Sequence, residues 1–187
     1  MKWFKEAARL SVAITAGLAV VLGGYVYWEK EYSPDTQSDR IQVMYNKLWA
    51  QTGLITEYVP LTIDPSDTIN AYATTTGITI YQGMIDTAEN DDQIALVLGH
   101  EIAHVISKDT TTTEEGDNVY HHSLLISVAE ARADKLGAVY VMKAGYDVCE
   151  ARELWSKFAK TGDYLFSDHP GYAYRYHELN INCSSGF

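Results

Sequence analysis

Two histidines four residues apart, His100 and His104, enclose an acid and two apolar residues in the run His100-Glu101-Ile102-Ala103-His104. On an α-helix, residues i and i+4 lie one above the other on a single face, so both imidazoles can converge on one tetrahedral metal ion. Glu101 adjoins the first histidine and reaches a water beside the metal rather than the metal itself. These residue types support metal-assisted hydrolysis. Zinc brings the pKa of a bound water down toward about 7, and the glutamate takes its proton as the oxygen attacks a carbonyl carbon. The helix is legible from the flanks: Asn90 or Asp91 can cap its start, and Ile94 to Leu98 are apolar without a break. That is the pattern of a buried helix carrying a polar site.

Two histidines are an incomplete set, because a zinc ion with one open position takes three protein ligands. A third histidine shortly after the motif would require glycine at position 107 and histidine at 110; Ser107 and Thr110 exclude that solution. The other solution is a glutamate from a second helix. Glu130-Ala131-Arg132-Ala133-Asp134 supplies it, within an amphipathic stretch over residues 120–143. Glu130 is the expected third ligand. Asp134, one turn on along the same face, is placed to accept the outer ring N–H of a ligand histidine and so fix its tautomer. Ala131, Ala133 and Gly137 keep this stretch small, as close packing against the first helix requires.

The remaining elements must hold these two helices together. Ser33-Pro34-Asp35 opens a helix whose apolar face is Ile41, Val43, Met44, Leu48 and Trp49, ending before Gly53. Residues 55–63 and 68–73 turn to Thr, Ile, Tyr and Val, broken by Pro65, Ser66 and Asp67, and Ile78-Thr79-Ile80-Tyr81 follows a turn at Thr76-Gly77. They predict three short strands in one antiparallel sheet. Residues 108–118, polar and with four consecutive threonines, connect the ligand helices as a lid or as a solvated loop. After Gly145, Asp147 or Val148 starts a further helix through Leu154, Trp155 and Phe158 to about residue 161. The fold class is α+β.

The 187 residues fit one domain with an N-terminal appendage. Residues 10–28 are uncharged and mostly apolar, long enough for a single transmembrane helix of roughly 20 residues. Lys2, Lys5 and Arg9 precede them and Glu29, Lys30 and Glu31 follow, which places residues 1–9 in the cytoplasm and the domain across the membrane. A cleaved signal peptide is the rival reading. Residues 29–34 form a linker and 35–187 the domain. The first 28 residues hold three basic side chains and one acidic, so the total charge of −11 leaves −13 for the rest. That acidity, with no basic patch, argues against nucleic acid as a partner. Cys149 and Cys183 lack metal-ligand spacing and in an oxidising compartment can form a disulfide, the alternative being two unpaired thiols.

The ordered motifs resemble the zinc metallopeptidase family that includes the CAAX prenyl protease and the heat-shock membrane protease HtpX. Its H-E-x-x-H motif is similar to His100–His104 and its E-x-x-A-D motif to Glu130–Asp134. Asn70-Ala71-Tyr72-Ala73 followed by Gly77-Ile78-Thr79-Ile80, Gly145-Tyr146-Asp147 with Leu154-Trp155, and His169-Pro170 with Arg175 match further segments of the family. The resemblance implies a zincin-like helical domain with a small antiparallel sheet over the active-site helix. It also implies one Zn2+ per chain and an extended or unfolded polypeptide substrate paired along Asn70–Ala73. His169 would lie near the zinc, and Arg175 would hold that loop. With a single apolar segment, the chain looks like the single-domain periplasmic members anchored in the bacterial inner membrane. Three functions stay open at this point: a quality-control protease, a processing enzyme with one substrate, and a zinc-bound but catalytically silent binding module.

Overall fold

A computed structural model describes residues 19–22, 25–28, 36–108, 119–161, 171–179 and 183. They fall into two units, residues 1–35 and 36–187. In the first, β1 (Ala19–Leu22) pairs antiparallel with β2 (Tyr25–Trp28), Leu22 opposite Tyr25 and Ala19 opposite Trp28. Residues 19–22 and 25–28 of the expected transmembrane segment are therefore paired strands. Its sequence accounts for this, since valine and tyrosine favour strands and Gly23-Gly24 between them is a two-residue hairpin signal. Residues 10–18 lie outside the described residues, and no described helix is long and apolar enough to cross a membrane.

The second unit is mostly helical with a three-stranded sheet. Helix α1 (Gln37–Ala50) starts at Thr36, whose hydroxyl accepts the Asp39 N–H. It buries Ile41, Met44, Tyr45 and Leu48 at i, i+3, i+4 and i+7. The stretch expected as one strand over 55–63 divides instead into a 3-10 turn at Ile55–Glu57 and β3 (Leu61–Asp64) beyond Pro60. Strands β4 (Ala71–Ala73) and β5 (Ile78–Tyr81) follow, and the sheet order is β3-β5-β4. The expected antiparallel sheet is thus corrected to a mixed one. β4 meets β5 antiparallel through the short turn, while β3 runs parallel to β5, Leu61 opposite Ile78. Parallel pairing needs a long crossover, and the chain from 65 to 77, which includes β4, provides it.

Helix α2 (Gln82–Thr87), not expected from the sequence, leads into α3 (Asp91–Ser107), where the Asn90 side chain accepts the Gln93 N–H. Every residue of α3 from Gln93 to His104 is buried. Apolar packing on all sides accounts for its nearly unbroken hydrophobic sequence. Helix α4 (Val119–Lys143) lies along it. A Cβ on Gly137 would stand 2.8 Å from both the Gly99 carbonyl carbon and the His100 nitrogen, and one on Gly99 would stand 3.0 Å from the Gly137 oxygen. The two backbones touch one residue before His100. Gly137→Ala is therefore expected to force α3 and α4 apart, because the obstructing atoms are main chain and cannot swing aside. A loss of about 1–3 kcal/mol or more in denaturant unfolding, with reduced metal retention, is the expected result.

The long helix expected after Gly145 is broken at Arg152 into α5 (Val148–Ala151), capped by Asp147, and α6 (Glu153–Thr161). Helix α7 (Tyr172–Glu178), also unforeseen, packs against α6 and α4. A disulfide joins Cys149 at the start of α5 to Cys183 beyond α7, 34 residues apart. It ties the chain just past α7 to the element that abuts α3.

Candidate metal centre

Helical periodicity puts His100 and His104 on one face of α3, and the glycine contact brings Glu130 of α4 against them. The two Nε2 atoms are 3.0 Å apart, and the Glu130 oxygens lie 3.3 Å from His100 Nε2 and 3.2 Å from His104 Nε2. A tetrahedral ion with bonds of about 2.0–2.1 Å sets its ligands about 3.3 Å apart. The three residues, all buried, therefore have the spacing and the nitrogen–oxygen donor set that one such ion needs.

Behind the ligands lies a second layer of charge. His100 Nδ1 is 2.9 Å from Asp134 Oδ1, so this ring nitrogen donates to the carboxylate and leaves the Nε2 lone pair for a metal. Arg175 of α7 grips the same carboxylate with both arms of its guanidinium, Nε to Oδ2 and Nη2 to Oδ1, each at 2.7 Å. Its Nη1 lies 3.5 Å from Glu130 Oε2. Burial alone would push the Asp134 pKa up, yet the Arg175 charge and its hydrogen bonds hold it far below the usual carboxylate range. For His100, burial and the Arg175 charge disfavour the imidazolium, but hydrogen bonds to Asp134 and Glu130 outweigh them, and the pKa of the metal-free ring is pushed up to about 9.

That direction has a measurable outcome. At neutral pH the metal-free His100 carries a proton that a metal must displace. Zinc uptake is thus expected to release about one proton per chain at pH 7, and affinity should rise with pH up to about 9. Calorimetry in buffers of different ionisation enthalpy reads this directly. Uptake without proton release would mean the ring is already neutral.

Glu101 is 2% exposed and borders a small cavity together with His100, Asn70, Ala71, Trp155 and Tyr172. The strand segment singled out in the sequence thus reaches the site at Asn70 and Ala71. β4 is the last strand on its side of the described sheet. Tyr81 N–H donates to Asn70 O and Thr74 N–H to Gly77 O, so the even-numbered residues face β5. The main-chain groups of Ala71 and Ala73 face the open edge, where Ala71 N–H is capped by Asn70 Oδ1 at 2.9 Å. Tyr72 is 38% exposed and Ala73 half-buried.

His169, the proposed loop 108–118 beyond Lys108, and the side chains of His121 and His122 lie outside the described residues. His177 is exposed on α7, away from the cavity lining. The sequence reading gave Trp155 and Tyr172 no role, yet both rings flank Arg175, at 4.4 and 5.0 Å from its guanidinium carbon. The i, i+3 spacing of Tyr172 and Arg175 on one helix was the available signal.

A buried histidine pair on one helix, a glutamate from the next and a second glutamate beside them define a metallopeptidase domain. The chain belongs to peptidase family M48, whose family model matches residues 35–129, just over half of its length. No curated protein matches it. The match covers His100, Glu101 and His104 and stops one residue before Glu130, so the approach of Glu130, Asp134 and Arg175 to the histidines is an independent geometric observation.

Proposed function

We propose that the chain is a zinc-dependent endopeptidase that cuts extended or misfolded polypeptides of the cell envelope, similar to the single-domain periplasmic members of its family. The observation that carries this reading is the convergence of His100, His104 and Glu130 beside a buried Glu101 and an open strand edge. His100, His104 and Glu130 would hold the ion; when bound, it supplies Lewis-acid polarisation of the scissile carbonyl and an acidified water. Glu101 is the general base. Its carboxylate takes the proton of the attacking water and returns it to the leaving amine nitrogen. Asp134 keeps the His100 proton on Nδ1, and Arg175 keeps Asp134 ionised. The edge at Ala71 and Ala73 binds substrate through main-chain hydrogen bonds, which tolerates varied side chains and favours unfolded chains. By the family resemblance His169 would either stabilise the oxyanion or occupy the open coordination position at rest.

The zinc-loaded full chain acting on casein tests this. Cleavage abolished by a chelator and restored by zinc is expected. Zinc at one per chain without casein cleavage would replace this reading with a dedicated substrate, and the absence of stoichiometric zinc would overturn it.

The Cys149–Cys183 bond supports a compartment that keeps disulfides oxidised, here taken as the bacterial periplasm. The apolar run over residues 10–28, with Lys2, Lys5 and Arg9 before it, supports attachment to the inner membrane. Protease added to spheroplasts should then reach the domain, and alkaline extraction should leave it with the membrane. A protected, extractable chain would sink both assignments.

A further inference from the structure

We infer that Trp155 is a further substrate-binding residue, whose indole N–H donates to a main-chain carbonyl oxygen of a peptide held in the cavity beside Glu101. The inference rests on the peptidase reading and deepens it. Trp155 is 3% exposed, and its Nε1 is shielded from solvent without a hydrogen-bond partner. A buried indole N–H ordinarily finds an acceptor, since leaving it unmet is unfavourable. Packing accounts for the ring: it stacks on Arg175 at 4.4 Å, meets Tyr172 at 5.5 Å and Phe158 at 6.0 Å, and stands edge-on to His100 at 6.2 Å. None of those contacts calls for a nitrogen in the ring. The nitrogen is what remains to be explained, and Trp155 lines the cavity that Glu101 and His100 border.

The chemistry of the lining narrows the ligand. An indole nitrogen only donates, so the ligand must present an acceptor. The carboxylate of Glu101 makes the cavity unfavourable for an anion, and the guanidinium of Arg175 is already engaged by Asp134. A neutral carbonyl oxygen fits. The cavity holds about 20 Å3, room for one oxygen-sized group. An extended peptide paired to the β4 edge satisfies on that strand only every other residue's N–H and C=O. The alternate carbonyls point away, and in a buried site each needs a donor of its own. Trp155 provides one next to the residue that performs the proton transfer.

Two variants of the full chain bear on the nitrogen: Trp155→Phe removes the N–H with part of the ring but keeps an aromatic beside Arg175, and Trp155→Leu removes the stacking as well. Trp155→Phe is expected to keep one zinc per chain and to lose less stability when metal-free than Trp155→Leu, because deleting an unmet donor offsets part of the packing lost with the smaller ring. Its KM for casein should rise roughly 5- to 10-fold with kcat within about twofold. Trp155→Leu should lose stability. Wild-type kcat/KM in Trp155→Phe, or a fall in its melting temperature as large as that of Trp155→Leu, would overturn the inference. A second reading uses 15N-tryptophan-labelled, zinc-loaded Glu101→Gln protein with a casein fragment it cannot cleave. The indole resonance absent from Trp155→Phe should shift on binding. If the wild type cleaves nothing, the peptidase reading fails separately, and this resonance alone decides the inference: unshifted, it overturns it.

Discussion

Glu101→Gln is expected to reduce casein turnover by roughly 10²–10⁴-fold while the protein still binds one zinc per chain and melts at the wild-type temperature. Glutamine matches glutamate in volume and keeps one oxygen acceptor, so the packing around a side chain 2% exposed is undisturbed. It cannot take a proton. The metal set of His100, His104 and Glu130 is untouched, which separates this variant from any change in a ligand. Elemental analysis, thermal melting and initial rates measured on one preparation check all three expectations. Wild-type turnover would remove Glu101 from the chemistry, and loss of zinc would make it a ligand rather than a base. Glu101→Asp sharpens the test. It retains the carboxylate but withdraws it by one methylene, and displacements of about 1 Å can lower rates by as much as 10²-fold. Activity intermediate between wild type and Glu101→Gln is the expected order.

What could be read from the sequence divides along the distance over which each residue acts. His100, Glu101 and His104 declare themselves because one helix places them. Glu130 and Asp134 do so because a second helix repeats the same four-residue logic, and Gly137 marks the contact that joins the two. Here periodicity alone fixes which side chains share a face. The parallel pairing of β3 with β5 is different in kind. Leu61 and Ile78 meet through a crossover, and nothing in their composition distinguishes that register from a simple meander. The break at Arg152 and the helices α2 and α7 are each too short for a periodic signal. The N-terminal run carries two signals at once: an apolar stretch long enough for a bilayer also contains two strand-forming segments separated by Gly23-Gly24. Trp155 belongs to the site only because α6 packs on α7 and brings its ring over Arg175. Tertiary approach decides that, and no local pattern encodes it.

Arg175→Met should destabilise the metal-free protein by about 3–5 kcal/mol and weaken zinc binding by about 10- to 100-fold. Arg175 and Asp134 are 2% and 1% exposed, and the guanidinium makes two hydrogen bonds of 2.7 Å to the carboxylate. Methionine fills much of the volume and keeps contact with Trp155 and Tyr172, so the main loss is the charge. Asp134 would be left buried with only His100 as a partner. The sign of the pH dependence follows from the depressed Asp134 pKa. A carboxylate whose folded pKa lies below its unfolded value of about 3.9 adds stability that is present above that value and fades as the pH falls toward the folded one. Without Arg175 the folded pKa rises, so this contribution is lost and acid unfolding should begin at a higher pH. Removing both charges in Arg175→Met/Asp134→Leu should destabilise less than the sum of the single changes, because neither partner is left uncompensated. Its zinc affinity should nonetheless stay low, since His100 loses the acceptor that fixes its tautomer. Urea unfolding across pH 3–8 and chelator competition for zinc separate these effects. A loss below about 1 kcal/mol in Arg175→Met would mean that water reaches the pair and that α7 is only a cover. Full stability with weakened zinc would instead confine Arg175 to orienting the ligands through Asp134.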